Sequence, residues 1–196
     1  MTTQCFSAPD FYPDFVALGC VQSLLGLLSH ENTDISVAVV DLLQEMTDAD
    51  ALTDAEEATE ALVNALVSNQ VSALLIQNME RMNEGVREES DGIHNTLSIV
   101  ENLIEFRPQL ISKEIAQDSG LLAWLVKKLK VKVPFDNNKL YASEILSILL
   151  QNEPDNRKAL VELSGSPMDS MLQQLAYYKR HNPNTAEGRL SKYCPF

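Results

Sequence analysis

The stretch GCVQSLLGLLSHENTDISVAVVDLLQEMTD, residues 19–48, decides the fold class of this chain. A glycine precedes a leucine-rich segment, a short polar break follows, and a second apolar segment begins at Asp34. In both segments the apolar residues recur at the three- and four-residue intervals of an amphipathic helix. The stretch therefore predicts two helices joined by a polar break.

This pattern recurs along the chain. A break followed by a leucine-rich or apolar segment appears again in NQVSALLIQNM from residue 69, GLLAWLVKKL from 120 and GSPMDSMLQQL from 165. Second apolar segments begin near residues 91 and 137, and shorter helical segments begin near 53, 108 and 154. The spacing of roughly 45 to 50 residues is close to the period of armadillo and HEAT repeats. We therefore predict three helices per repeat, with the repeats stacked side by side.

Local signals support the predicted helix boundaries. Thr53 followed by Glu56 matches a capping box, which predicts a helix start at that point. Pro108 and Pro154 each follow one helical segment and open the next, since the fixed φ of proline suits the first turn of a helix. Trp124 lies on an apolar helix face and is expected in the core.

Composition and charge exclude several classes of function. The formal net charge of −13 disfavours general nucleic-acid binding, which needs a basic surface, and favours a basic partner. The three cysteines lie far apart without CxxC spacing, and no apolar run is long enough to span a bilayer. The segment DADALTD fails the calcium-loop pattern because Leu52 and Thr53 stand where a ligand and a glycine are required. The sequence therefore predicts no enzyme, cofactor, metal site, direct nucleic-acid binding or membrane contact.

Four stretches carry a resemblance to a known family: VQSLLGLLSHENTDISVAVVDLLQEMTD, SALLIQNMERMNEGVREESDGIHNTLSIVENLIEFRP, PFDNNKLYASEILSILLQN and YKRHNPNTAE. They resemble armadillo repeats, and in particular a family of nuclear, spliceosome-associated armadillo proteins, from about Pro9 to Glu187. The resemblance implies an all-α, armadillo-type α-solenoid, a right-handed superhelix of three-helix repeats. It also implies a scaffold that acts in pre-mRNA splicing. The implied location is the nucleus, and the alternative is the cytoplasm. Its implied partners are basic, nuclear-localisation-type segments of splicing factors and activation-induced deaminase.

The resemblance also implies a domain plan. Residues 1–12 form a partly ordered N-terminal segment, residues 13–187 form an armadillo domain of about three to four repeats, and residues 188–196 form a divergent tail. Terminal repeats normally need caps over their apolar faces, and none is recognisable here. We therefore expect a central fragment of a longer protein, an alternative product or an incomplete gene model. Its ends are expected to fray or to self-associate with another copy. One alternative is a truncated structural fragment that binds nothing by itself.

The third helix of each repeat is the expected binding element, because in armadillo stacks these helices line one face. Apolar stripes expected in the core are Ile35, Val39, Leu42 and Met46 on the first such helix, Ile93, Leu97, Val100 and Ile104 on the second, and Ile145 and Leu149 on the third. On or beside the opposite stripes lie the predicted peptide-binding residues, which are Asp41, Glu45, Ser98, Glu101, Asn102, Glu105 and Glu144. Carboxylates there would form charge-assisted bonds to Lys and Arg of a peptide.

A comparison with importins qualifies this prediction. Peptide-binding importins place Trp and Asn four residues apart on the third helix, whereas here Ser98 stands at the Trp position before Asn102. A peptide carrier that resembles a nuclear import adaptor is therefore an alternative function, although the stacked Trp and Asn residues of importins are absent from this sequence. The run KKLKVK, residues 127–132, is either a phosphate-binding patch or the basic last turn of a helix, and the second interpretation is favoured.

Overall fold

The computed structural model describes residues 9–117, 120–130, 136–151, 153–165 and 167–180, and within these ranges all regular structure is helical. The α-helices, in chain order, are α1 (Tyr12–Ala17), α2 (Cys20–Gly26), α3 (Thr33–Met46), α4 (Ala49–Asp54), α5 (Glu56–Ser68), α6 (Val71–Arg81), α7 (Arg87–Phe106), α8 (Pro108–Gln117), α9 (Gly120–Lys130), α10 (Asn137–Gln151), α11 (Pro154–Glu162) and α12 (Pro167–Arg180). Two 3-10 helices, Pro9–Phe11 and Leu27–Ser29, precede α1 and follow α2. The chain divides into two compact units, residues 1–111 and residues 112–196.

Two helix triplets and one extra short helix build the first unit. The triplets are α1–α2–α3 and α5–α6–α7, with α4 between them, so the predicted grouping in threes is confirmed for this unit. In both triplets the first helix passes into the second through a left-handed backbone position, at Gly19 (φ 71°) and at Gln70 (φ 56°). Glycine adopts this conformation without strain, whereas a residue with a Cβ atom does so at a cost.

The polar break that precedes α3 is held by a side-chain cap and by an arginine from α6. The Asn32 side chain accepts a hydrogen bond of 3.0 Å from the Asp34 backbone N–H and so begins α3. Arg81, at the end of α6, donates to the backbone carbonyls of Leu28 (2.8 Å) and His30 (3.1 Å). These bonds satisfy carbonyls that the end of the Leu27–Ser29 helix leaves without intrahelical partners.

In the second unit, α9 packs against α10, α11 and α12. Trp124 on α9 is buried, as predicted, and the predicted helix start at Pro154 is confirmed. The predicted helix start at Pro108, near the end of the first unit, is confirmed as well. Asp136 precedes α10 and accepts from the Lys139 backbone N–H at 2.6 Å, and its other oxygen pairs with Lys128 Nζ at 3.0 Å. The carboxylate thus caps one helix and neutralises a buried lysine at the end of another.

The apolar stripe of α7 is buried as predicted, since Ile93, Leu97, Val100 and Ile104 all lie in the core. Ile145 and Leu149 on α10 are buried as well. The stripe predicted for α3 is wrong in part. Ile35 and Leu42 are only half-buried, and the core positions of α3 are instead Ser36, Val39, Val40, Leu43 and Met46. Because α3 packs on α7 as well as on the Leu27–Ser29 helix, its buried arc is set by two neighbours and is rotated from the predicted one.

The capping box predicted at Thr53 and Glu56 is also wrong. Thr53 lies inside α4, and α5 begins at Glu56 after Ala55, which provides no side-chain cap. The N-cap of α4 is Asp48, whose side chain accepts a hydrogen bond from the Asp50 backbone N–H at 3.1 Å. Because Asp48 caps α4, a helix has already begun before Thr53, and Thr53 does not act as an N-cap.

Tyr12, the last residue of the predicted N-terminal segment, packs into the core. Tyr12 is only 2% exposed, and its hydroxyl donates to the backbone carbonyl of Met46 at 3.0 Å. Burial raises the pKa of the Tyr12 phenol above its usual value. The domain boundary at Pro13 itself stays a prediction, as does the tail after Glu187, which lies outside the described residues.

Among the described residues no single helix is long and apolar enough to cross a membrane. Two adjacent helical segments, Pro9–Ala17 and Cys20–Ser29, are long and apolar enough only when they are taken together, and the chain bends by 85° between them.

Candidate functional site

The helices α3 and α7 lie side by side in parallel register. A Cβ atom placed on Gly92 would lie 3.4 Å from Val37 Cγ2, and the Asn95 Nδ2 atom donates to Asp41 Oδ1 at 2.8 Å. Residues of α3 thus face residues of α7 that follow them by 54 or 55 positions, and the numbers rise together along both helices. This register brings the two predicted outer stripes next to each other.

We call the exposed side of this pair the α3–α7 face and define it by Asp41, Glu45, Asn95, Ser98, Glu101, Asn102 and Glu105. Asp41, Glu45 and Glu105 are exposed, while Asn95, Ser98, Glu101 and Asn102 are half-buried. Six of these seven residues were predicted as site residues, and the register brings them to one face. Asn95 was not among the predicted site residues, and its hydrogen bond to Asp41 is a finding of the structure.

The side chains of this face differ in how far they are already engaged. Asp41 accepts the hydrogen bond from Asn95, which ties the two helices together on the solvent side. The side chains of Glu45, Asn102 and Glu105 have no hydrogen bond or ion pair to any residue that the structure describes. They therefore retain acceptor capacity for a partner.

Glu144 belongs to the second unit, where it is half-buried on α10. The α3–α7 face comprises residues of the first unit alone. That Glu144 extends the same row of carboxylates stays a prediction.

Charge is distributed very unevenly along the chain. Residues 1–111 contain 19 Asp and Glu residues against three Arg and no Lys, which gives a formal charge of −16. Residues 112–196 contain nine acidic and 12 basic residues, which gives +3. The net charge of −13 is thus concentrated in the unit that carries the α3–α7 face, where it attracts cationic segments.

All three arginines of the first unit have partners within it. Arg81 binds carbonyl groups, Arg87 lies 3.8 Å from the Asp91 carboxylate, and Arg107 Nη2 lies 2.9 Å from Glu60 Oε1. Their positive charges are therefore already matched by acceptors, none of which is Glu45 or Glu105.

A cavity of about 400 Å³ opens at the C-terminal end of the α3–α7 face. Its lining consists of Ala49, Leu52, Glu56, Asn102, Glu105, Phe106 and Arg107. Asn102 and Glu105 were predicted site residues, whereas Leu52 and Glu56 were missed. Leu52 was missed because α4 was not predicted, and the acidic cap Asp48 was the one signal that pointed to this helix. Glu56, the first residue of α5, was predicted only as part of a capping box.

Other candidate chemistry is not supported by the described residues. They contain no group of three His, Cys, Asp or Glu side chains that is placed to hold a metal ion. Lys127, Lys128 and Lys130 form the basic last turn of α9, in agreement with the favoured interpretation of KKLKVK, while residues 131 and 132 lie outside the described ranges.

Comparison with known proteins identifies the family. A family model described as "Catenin-beta-like, Arm-motif containing nuclear" matches residues 4–189. The chain is 60% identical over 179 residues to beta-catenin-like protein 1 of Mus musculus and of Homo sapiens, which is 91% of this chain and 31% of each relative. It is 32% identical over 176 residues to the beta-catenin-like protein 1 homolog of Schizosaccharomyces pombe, which is 89% of this chain and 30% of that relative.

The chain therefore spans less than a third of the length of the curated relatives that it matches. Its helix triplets and the family match together confirm the all-α, armadillo-type fold predicted from the sequence. The chain belongs to the catenin-beta-like family of Arm-motif-containing nuclear proteins.

Proposed function

We propose that the chain is a non-catalytic binding scaffold whose α3–α7 face binds Lys- and Arg-rich segments of partner proteins. The observation that carries this proposal is the pairing of unengaged carboxylates, at Glu45 and Glu105, with a first unit of formal charge −16. Each exposed ion pair contributes only about 0.2–1 kcal/mol, so binding requires several contacts along the face. An extended basic segment supplies such contacts because its charges recur along its length.

The arrangement of the carboxylates favours a binding surface over an enzyme. Catalysis needs titratable groups that converge on one reacting atom in a protected pocket. The carboxylates of the α3–α7 face are instead spread along two parallel helices, which suits an elongated ligand. Electrostatic complementarity of this kind contributes to partner choice and to the rate of association.

The family gives the proposed setting. Its description as nuclear supports a nuclear location for this chain. With the resemblance noted in the sequence, we extend the proposal to pre-mRNA splicing. The basic segments are then the nuclear-localisation-type segments of splicing factors, with activation-induced deaminase as a further partner.

The test is the affinity of the full chain for a Lys/Arg-rich peptide, measured for the parent and for Asp41→Lys combined with Glu45→Lys. The double reversal replaces two attractive charges by two repulsive ones, and we expect binding to weaken about tenfold, which corresponds to about 1.4 kcal/mol. We also expect the parent's affinity to fall steeply between about 50 mM and about 300 mM NaCl, because exposed charges are screened.

The matched control is Glu31→Lys combined with Glu80→Lys, which makes the same change in net charge at exposed positions outside the face. We expect this control to retain most of the parent's affinity, and circular dichroism establishes that both variants are folded. Equal weakening by both pairs would mean that only the total charge matters, and the proposed face would be wrong.

A further inference from the structure

The cavity beside the α3–α7 face combines an apolar interior with acidic edges. Leu52 is only 2% exposed and Phe106 is half-buried, so both present apolar surface to it. Glu56 and Glu105 are exposed at the same cavity. A volume of about 400 Å³ falls within the range of small-ligand pockets and is large enough for a long side chain.

The polar groups of this cavity are available to a ligand. Neither the Glu56 nor the Glu105 carboxylate has a hydrogen bond or an ion pair to a residue that the structure describes, and the same holds for the side-chain amide of Asn102. Arg107 also lines the cavity, but its guanidinium is paired with Glu60 at 2.9 Å. The two glutamates therefore leave the cavity with an excess of negative charge, which selects a cation.

The chemistry of the lining favours arginine among cations. An arginine side chain has an apolar stem for Leu52 and Phe106 and five N–H donors in one plane for carboxylates and an amide oxygen. A guanidinium is also more weakly hydrated than an ammonium group, so it enters a half-apolar cavity at a lower cost. The Phe106 ring already has the Arg107 guanidinium 4.8 Å from its centroid, so the aromatic wall tolerates this group.

We infer that this cavity binds one arginine side chain, with its guanidinium at Glu56 and Glu105 and its stem against Leu52 and Phe106. The inference rests on the proposed function in one respect, namely that the arginine belongs to a basic segment bound along the α3–α7 face. Because the cavity lies just beyond Glu45 in the α3–α7 register, such a segment reaches it by continuing along the same face. An arginine bound in the cavity then fixes the position of the segment along the α3–α7 face. A row of exposed carboxylates alone would not fix this position.

The first experiment tests the cavity without a peptide. The ¹⁵N-labelled full chain is titrated by NMR with N-acetyl-arginine methylamide, with the corresponding citrulline compound, which is neutral but similar in shape, and with the lysine compound. We expect saturable shifts of amides in α4, at the start of α5 and at the end of α7 with the arginine compound. We expect about tenfold weaker binding of the lysine compound and no saturable shifts with citrulline.

Variants separate the cavity from general charge effects. Glu56→Gln and Glu105→Gln should each weaken the arginine compound about threefold or more. Ala49→Leu should block binding by filling the cavity from an exposed position. The matched control is Glu88→Gln, which removes an exposed charge from the first turn of α7 just as Glu56→Gln does from the first turn of α5. Binding by the Glu88→Gln variant should equal that of the parent.

The outcomes distinguish this inference from the proposed function. If the peptide binds but the arginine compound shifts none of these amides, or if lysine or citrulline binds as well as arginine, the inference is overturned and the proposed function stands. If the arginine compound binds as described but no basic peptide binds, the cavity is an arginine site and the proposed function fails. A mere surface-charge effect would make Glu88→Gln as harmful as Glu56→Gln and would also overturn the inference.

Discussion

At the scale of single residues, Tyr12 shows how a buried polar group makes stability depend on pH. Its hydroxyl donates to Met46 O, and burial raises its pKa above the usual value of about 10. The folded chain holds this proton more tightly than the unfolded chain. The resulting stabilisation is therefore fully present below about pH 10 and is lost as the pH rises through the raised pKa.

We predict that Tyr12→Phe lowers the free energy of unfolding by about 0.5–1.5 kcal/mol near neutral pH, because the Met46 carbonyl loses its donor. Above about pH 10 the difference between the parent and the variant should shrink, since only the parent has this phenol to ionise. Urea denaturation at both pH values measures the difference and cancels the titration of other groups. A difference that is constant with pH would contradict the role assigned to Tyr12.

The hydrogen bond between Asn95 and Asp41 joins α3 and α7, and its contribution to stability can be measured. In a double-mutant cycle with Asp41→Ala and Asn95→Ala, we predict a coupling free energy of about 0.5–1 kcal/mol, which is modest because both groups are near solvent. Glu45→Ala serves as the comparison, because Glu45 has no partner among the described residues, and it should change stability by less than about 0.5 kcal/mol. Zero coupling would mean that α3 and α7 are not joined at this point.

At the scale of helices, apolar periodicity predicted the α7 stripe correctly, because Ile93, Leu97, Val100 and Ile104 recur at three- and four-residue intervals and all lie in the core. On α3 the contacts with α7 and with the Leu27–Ser29 helix bury Val40 and Leu43, and periodicity alone does not give the direction in which a neighbouring helix lies. The candidate site shows the same limit. Residues of α3 and α7 were found, whereas Leu52 and Glu56 come from elements whose boundary was misplaced.

Gly92 lies where α7 approaches α3, and the space there admits a methyl group but no larger side chain. An added Cβ would lie 3.2 Å from Met82 Cε and 3.4 Å from Val37 Cγ2. We predict that Gly92→Ala changes stability by no more than about 1 kcal/mol, because its gain in helix propensity opposes a contact that the flexible Met82 side chain can relieve. Gly92→Leu should destabilise by about 1–3 kcal/mol or more, because the helices must separate.

The control for this prediction is Gly26→Leu. A Cβ at Gly26 meets no heavy atom within 4 Å, and the backbone there is helical, so this variant should not be destabilised. Thermal or urea denaturation of the two leucine variants makes the comparison. Equal stability of both would show that α3 and α7 are not in close contact at Gly92.

At the scale of the whole molecule, the proposed binding of basic segments depends on the charge of the first unit. A formal charge of −16 within 111 residues costs stability through self-repulsion and attracts basic segments at long range. Both effects weaken as salt is added, since the screening length falls to about 10 Å at 0.1 M. The overall net charge of −13 already indicated a basic partner, but it did not indicate which part of the chain binds it. The parallel register of α3 and α7 supports the location that we propose, because it brings Asp41 and Asn95 together on one face.

The most direct test of the central claim is a map of where a basic peptide binds. The ¹⁵N-labelled chain is titrated by NMR with a short Lys/Arg-rich peptide and with a control peptide in which every Lys and Arg is replaced by Gln. We predict saturable shifts on α3 and α7, centred on Asp41, Glu45, Asn102 and Glu105, with the basic peptide alone. Shifts confined to residues 112–196, or equal shifts with both peptides, would contradict the account.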